Sequence, residues 1–212
     1  MAKARKNVTY RDSGVDITAN DRMVDLIKPI VRTTFGPQVL GKHGGFAGLF
    51  RLGGGPGGAR MKDPVLVGCT DGVGSKILLA REAGRFDTVG IDLVAMNVND
   101  MLTLGARPLF FLDYVAVHKL VPRPDLYARG DFDLAGFAVG VVDRAKIIDG
   151  SGVKAGDALI GLASTGPHSN GYSLARRLVF KEAKLKYTSR VPGITGTIGD
   201  ALLAPTRIYV RP

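Results

Sequence analysis

The sequence predicts an α/β chain, α+β in the grouping of its strands and helices, with an N-terminal lobe over residues 1–142 and a shorter second lobe over 155–212. Three observations carry this reading. Apolar runs of strand length recur, the clearest being Pro64-Val65-Leu66-Val67-Gly68-Cys69. Between two of them, residues Ile91, Val94, Ala95, Val98, Met101 and Leu102 fall at helical spacing and form one buried stripe. The segment Asp143 to Ala155 is polar, carries Gly150 and Gly152, and reads as the boundary between the lobes.

Residues 1–19 are polar and punctuated by glycine. Asn20 is placed to cap a helix whose apolar residues fall at Met23, Leu26, Ile27, Ile30 and Val31. Pro29 lies inside that pattern and is expected to kink or split it. Gly44 to Phe50 reads as a strand of small and aromatic residues. Gly53-Gly54-Gly55-Pro56-Gly57-Gly58 has the glycines of a phosphate loop, but Lys62 does not supply Gly-Lys-Ser/Thr at the required spacing, so a hairpin connection is expected. Pro108 to Val117 and Leu134 to Val142 read as further strands. Asp113 interrupts the first of these, and a carboxylate in such a run is either paired or at a site. Asp157 to Ser164 reads as a strand and Tyr172 to Ala183 as a helix. There is no internal repeat.

The 212 residues, 45% hydrophobic and 23% charged, are those of an ordinary globular chain. The net charge of +10 suits anionic, phosphate-bearing ligands. A nucleic-acid partner is disfavoured, because the basic residues are spread out and poorly interleaved with aromatics. The single cysteine, Cys69, excludes an internal disulfide. On a buried strand it acts as a small hydrophobe, and no nearby histidine is placed to make it a nucleophile. No apolar run reaches the length of a membrane span and no signal-peptide core follows the N-terminal charges, so a cytoplasmic protein is expected.

The strand at 64–69 leads into Thr70-Asp71-Gly72-Val73-Gly74-Ser75-Lys76. Glycines permit a sharp turn and close approach to a ligand. Asp71 is a hard oxygen ligand suited to Mg²⁺, and Lys76 falls in the first turn of the next segment, where a phosphate would lie. The plainer alternative is a strand–turn–helix junction with a solvated acid. On the helix that follows, Asp92 and Asn99 are seven residues apart and share a polar face, with Asp100 about 80° from Asp92. Together with Asp71 these oxygens suit a nucleotide-bound Mg²⁺, against the alternative of a solvated helix face. Thr165-Gly166-Pro167-His168-Ser169-Asn170-Gly171 exposes backbone N–H groups before a helix, where an anion is favoured. His168 there either donates to a phosphate or acts as a catalytic acid/base near neutral pH, against the plainer alternative that it merely caps the turn. His43 and His118 lack such a setting.

Eight motifs stand in one order: Asp12-Ser13-Gly14-Val15-Asp16-Ile17, Gly44-Gly45-Phe46, Thr70 to Gly74, Gly90 to Met96, Val98-Asn99-Asp100, Phe111-Leu112-Asp113-Tyr114, Asp133-Leu134-Ala135-Gly136-Phe137, and Gly166 to Ser173. In this the chain resembles the aminoimidazole ribonucleotide synthetases, or phosphoribosylformylglycinamidine cyclo-ligases, from about Tyr10 to Val210. The resemblance implies a homodimer in which N-terminal mixed sheets of two chains close a barrel, followed by a C-terminal α/β sandwich domain. It implies an ATP- and Mg²⁺-dependent ligase of purine biosynthesis. ATP activates the formyl oxygen of formylglycinamidine ribonucleotide, an internal nitrogen closes the imidazole, and ADP and phosphate leave.

By the same resemblance Asp71 and Asp100 hold the metal and Lys76 neutralises phosphate oxygens. Asp92 and Asn99 support metal or nucleotide. Gly14, Asp16, Gly72 and Gly74 lie at the nucleotide, and His168, Ser169 and Asn170 contact the substrate. The family pattern also sets expectations of difference. Between Lys119 and Tyr127 the family carries a further helix and strand, for which this chain has only Leu120 to Leu126. The family also continues beyond the position of Pro212, and Ser75 stands for a threonine. A shortened chain of this kind is expected to turn over slowly. The alternatives are an inactive nucleotide-binding or dimerising module, a related phosphotransferase such as selenophosphate synthetase or thiamine-phosphate kinase, and a basic nucleic-acid binder.

Overall fold

The computed structural model describes residues 17–37, 39–40, 49–50, 61–117 and 132–210. Contacts divide the chain into two units, Met1–Pro56 with Ala116–Phe132, and Gly57–Val115 with Asp133–Pro212. The first unit contains helix α1 (Ile17–Arg32) and a two-residue antiparallel pair, β1 (Val39–Leu40) with β2 (Leu49–Phe50). Helix α1 begins earlier than the expected cap at Asn20 and runs unbroken through Pro29. A proline deletes one ladder donor, and here the loss neither splits nor ends the helix. Only the end of the strand expected over 44–50 is described. The glycine run 53–58 and the 120–126 linker lie outside the described residues.

The second unit is built on a three-stranded sheet in the order β3-β5-β4, comprising β3 (Pro64–Gly72), β4 (Arg107–Val117) and β5 (Phe132–Asp143). β3 and β5 pair antiparallel, with Pro64 opposite Asp143 and Gly72 opposite Ala135. Because side chains alternate along a strand, Val65, Val67 and Cys69 point to one face. There they pack on Met101, Ala106, Ala138 and Val142. Helix α2 (Lys76–Ala83) and helix α3 (Val89–Thr103) follow β3, and α3 lies against β3. Gly136 permits this approach: a Cβ there would stand 2.4 Å from Asn97 Nδ2 and 2.7 Å from Phe111 Cζ.

The buried side of α3 is rotated from the sequence expectation. Ala95, Val98 and Met101 of the expected stripe are inside, joined by Val89, Asp92, Leu93 and Asn97, whereas Val94 and Leu102 are half-buried and Ile91 is exposed. Asp113 is also exposed, so the carboxylate within β4 is simply solvated. Beyond β5 come a 3₁₀ turn (Arg144–Lys146), helix α4 (Tyr172–Arg176), a π-helical stretch (Arg177–Glu182) and helix α5 (Ile198–Leu203). A capping box between Thr197 and Asp200 opens α5. The helix expected over 172–183 is thus a short α turn that widens into π geometry. The strand expected over 157–164 is not formed. Leu159 and Ile160 are 101% and 87% exposed, and no strand among the described residues pairs with this segment. Its apolar sequence has strand character but no neighbouring ladder to complete it.

Candidate functional site

The turn after β3 is made by Gly74, whose φ of 66° lies in the left-handed region that glycine enters without steric cost. The turn separates two environments. On one side Asp71, Gly72 and Gly74 line a cleft of about 490 Å³ together with Asp133, Ser169 and Asn170. Asp71 is half-buried, and its Oδ1 accepts from the Gly72 N–H at 2.7 Å. No lysine or arginine is among the described residues that line the cleft. On the other side Lys76 is wholly buried. Its ammonium donates to Asp92 Oδ1 at 2.9 Å, to the His168 carbonyl at 3.0 Å and to the Ala204 carbonyl at 2.7 Å.

Three donations exhaust an ammonium's protons. Lys76 therefore has none left for a phosphate in this arrangement, contrary to the expectation from its position. Burial pulls its pKa down, and the bond and charge of Asp92 oppose that shift. Asp92 is equally sealed. Its Oδ1 also accepts from Ser169 Oγ at 3.0 Å, from the Thr206 N–H at 2.8 Å and from Thr206 Oγ1 at 2.7 Å. Its Oδ2 lies 2.9 Å from the ammonium yet has no aligned hydrogen bond. In this arrangement Asp92 Oδ1 is committed to an internal knot.

Asn99 departs from expectation in the same way. Its Nδ2 donates to the Arg207 carbonyl at 2.8 Å, and its Oδ1 accepts from the Tyr209 N–H at 2.9 Å. Both ends of the amide are committed to the C-terminal segment. His168 is absent from the cleft lining. It sits at φ 60°, and its Nε2 lies 3.3 Å from the Tyr209 hydroxyl. Ser169 and Asn170 do line the cleft, but Ser169 is buried and its hydroxyl is turned inward to Asp92 and Thr206. Gly14 and Asp16 lie outside the described residues.

Asp100 is exposed on α3. It is not among the described residues that line the Asp71 cleft. Burial raises the pKa of the Cys69 thiol, the negative charges of Asp100 and Asp71 add to that, and a hydrogen bond with the Ala138 backbone opposes it. The thiol therefore stays protonated, and its Sγ lies 3.1 Å from the Asn97 carbonyl oxygen, so the nucleophile alternative loses its basis. Among the described residues no group of three or more His, Cys, Asp and Glu side chains converges as a metal site. The acids present suit an ion that takes one or two carboxylates and completes its shell with phosphate and water, which is the habit of Mg²⁺.

Two residues escaped the sequence reading. Asn97 is fully buried and donates to the Asp71 carbonyl at 3.2 Å and the Leu93 carbonyl at 2.9 Å, fixing the strand end that carries the acid. A polar residue within a mostly apolar helix was the available signal. Asp133 is a second acid of the cleft. Its signal was its place in an ordered motif, at the start of a strand.

An α/β unit with an acid- and glycine-lined cleft at a strand end is the build of a small-molecule-binding domain. The N-terminal domain model of AIR synthase related proteins matches residues 56–155, and the C-terminal domain model of the same group matches 154–212. Curated phosphoribosylformylglycinamidine cyclo-ligases are similar along almost the whole chain. The protein from Sorangium cellulosum is 52% identical over 233 residues, covering 97% of this chain and 66% of its own length. That from Geotalea daltonii is 49% identical over 239 residues, covering 100% of this chain and 67% of its own. That from Myxococcus xanthus is 51% identical over 231 residues, covering 96% and 66%. The chain belongs to the AIR synthase family. It spans about two thirds of the length of the curated relatives it matches. The alignment to the Geotalea daltonii protein occupies 239 positions against the 212 residues of this chain, so the relative has residues there that this chain lacks.

Proposed function

We propose that the chain performs, or contributes the nucleotide side of, the ATP-dependent cyclisation of formylglycinamidine ribonucleotide to aminoimidazole ribonucleotide in purine biosynthesis. The observation that carries this is the cleft of Asp71, Gly72, Gly74, Ser169 and Asn170 in a chain about half identical to proteins named as that cyclo-ligase. Asp71 is the principal Mg²⁺ ligand in this reading, with Asp100 on α3 as its partner. Bound Mg-ATP supplies the phosphoryl group that activates the formyl oxygen. Gly72 and Gly74 let backbone approach the nucleotide, toward which Gly14 and Asp16 are also assigned. Asn170 faces the substrate, and Ser169 lines the same cleft with its hydroxyl held by Asp92. Lys76, Asp92, Asn99 and His168 hold these groups in place. Charge neutralisation in the cleft is assigned to the metal, since none of the described residues lining it is a lysine or arginine.

The division into lobes at 1–142 and 155–212 belongs to the same reading, supported by the meeting of two family domains at 154–155. So does a homodimer formed through the sheet. Leu66, Leu112, Tyr114 and Phe137 are 57%, 47%, 63% and 45% exposed, and on alternation they share the sheet face away from α3. None of the described helices is long and apolar enough to cross a membrane. A cytoplasmic setting goes with the proposed reaction.

ADP release that depends on formylglycinamidine ribonucleotide tests the activity. Release with both substrates supports it, and Mg-ATP binding without release favours the second reading, a nucleotide-binding or dimerising module. The shorter span relative to the relatives is what favours that second reading. Light scattering that reports a monomer would remove the sheet-to-sheet dimer.

A further inference from the structure

The second unit holds another groove, about 810 Å³, that shares only Ser75 and Ser173 with the Asp71 cleft. It is within the size range of small-molecule sites. α2 contributes Leu78 and Glu82, and the opposite wall is α4 with the π-helical stretch. The rings of Phe180 and Tyr187 lie 4.7 Å apart at 47° and form an aromatic surface. Glu82 is the acid in the lining, and it is already committed. It accepts from Arg176 Nη2 at 2.8 Å and from the Tyr187 hydroxyl. Burial and Glu82 raise the Tyr187 pKa, so the phenol stays neutral. Arg177 is paired with Glu182 at 3.1 Å.

The remaining positive charge is unspent. Lys181 and Lys186 line the groove, are exposed, and have no ion pair among the described residues. Arg176 Nε is buried without a hydrogen-bond partner. Such an orphan donor costs stability unless something accepts from it. An aromatic surface and two ammonium groups with no ion pair among the described residues are complementary to a flat ring joined to a phosphate. The π-helical wall is a geometry that recurs at functional sites.

We propose that this groove is a second ligand site, for an organic monophosphate bearing one flat heteroaromatic ring, the chemistry of a nucleoside monophosphate. The ring lies on Phe180 and Tyr187, and the phosphate is held by Lys181 and Lys186. Binding needs no divalent cation, because the described lining has no uncommitted carboxylate. The site does not depend on the cyclisation reading.

The test is calorimetric titration of the full chain with AMP in the presence of EDTA. Binding is expected without Mg²⁺, weakened about tenfold or more in the double variant K181Q/K186Q and unchanged in Asp71→Asn. Both lysines are exposed, and an unchanged melting temperature will show that the double variant is folded. Ribose 5-phosphate is expected to bind about tenfold more weakly than AMP, since it lacks the ring. Absence of binding at millimolar AMP overturns the proposal. So does binding equal in the double variant, binding abolished by Asp71→Asn, or ribose 5-phosphate binding as tightly as AMP. Capture of a glutamate-rich peptide with no AMP binding overturns it in favour of a protein partner.

Discussion

The two ends of the segment Thr70 to Lys76 differ in every physical respect. Asp71 and its glycines border an open, acid-lined cleft, while Lys76, five residues on, is sealed with all its protons spent inside the molecule. The contrast teaches that a motif can be chemically uniform in sequence and divided in function. The acid end is free to meet a ligand. The lysine end ties α2, α3, the 168–169 loop and residues 204–206 into one frame that fixes where the acid stands.

The largest expected effect breaks that frame. Lys76→Met leaves the Asp92 carboxylate buried and uncompensated, and should lower unfolding free energy by about 3–5 kcal/mol. Urea denaturation measures it, and a loss below about 1 kcal/mol would mean that the knot is not a scaffold. Asp71→Asn should do the converse. Mg-ATP binding weakens by about 1.5–3 kcal/mol, while stability changes by no more than about 0.5 kcal/mol. Calorimetry beside denaturation reads both, and a variant that binds normally but unfolds easily would reverse the contrast.

Gly136→Ala sharpens it, because the new methyl would press Asn97, the residue that holds the Asp71 carbonyl. Overpacking there should cost about 1–3 kcal/mol, measured by the same unfolding curves. The smallest effect lies far from both ends. Hydrogen bonds from the Thr197 backbone and side chain, and then from Arg85, hold the Asp200 carboxyl down to about 2. A carboxylate with a depressed folded pKa stabilises above its unfolded value of about 4, and that contribution is lost as pH falls through about 2. Asp200→Asn should therefore flatten the acid side of the stability profile over that window and leave the neutral side parallel to wild type. An unchanged acid limb would mean that Asp200 is not held this way.

Local pattern made much of the fold legible. The runs at 64–69, 108–117 and 134–142 are strands, and the 3.6-residue period located α3, because burial of one stripe is a local demand on sequence. The partners of Asp92 were not legible. They are Lys76, Ser169 and Thr206, and the last two lie 77 and 114 residues away. An acid beside apolar residues reads alike whether it faces water, metal or a buried lysine. For the same reason Asn99 looked like a ligand, though Arg207 and Tyr209 satisfy it, while Asn97 was overlooked. The segment 157–164 shows the opposite failure. Its apolar residues signal a strand, but a strand needs a neighbour, and sequence period contains no information about whether one is at hand.

The knot has a consequence for biosynthesis. Lys76 and Asp92 leave the ribosome more than a hundred residues before Ala204 and Thr206, which complete their shells. During that interval two opposite charges must remain hydrated, or pair without their full set of partners, so α2 and α3 cannot finish docking before residues 204–206 have emerged. Closure of the frame waits for the strap at 204–209, and a ribosome stalled before that point would hold a nascent chain whose sheet is made but whose interior is still wet.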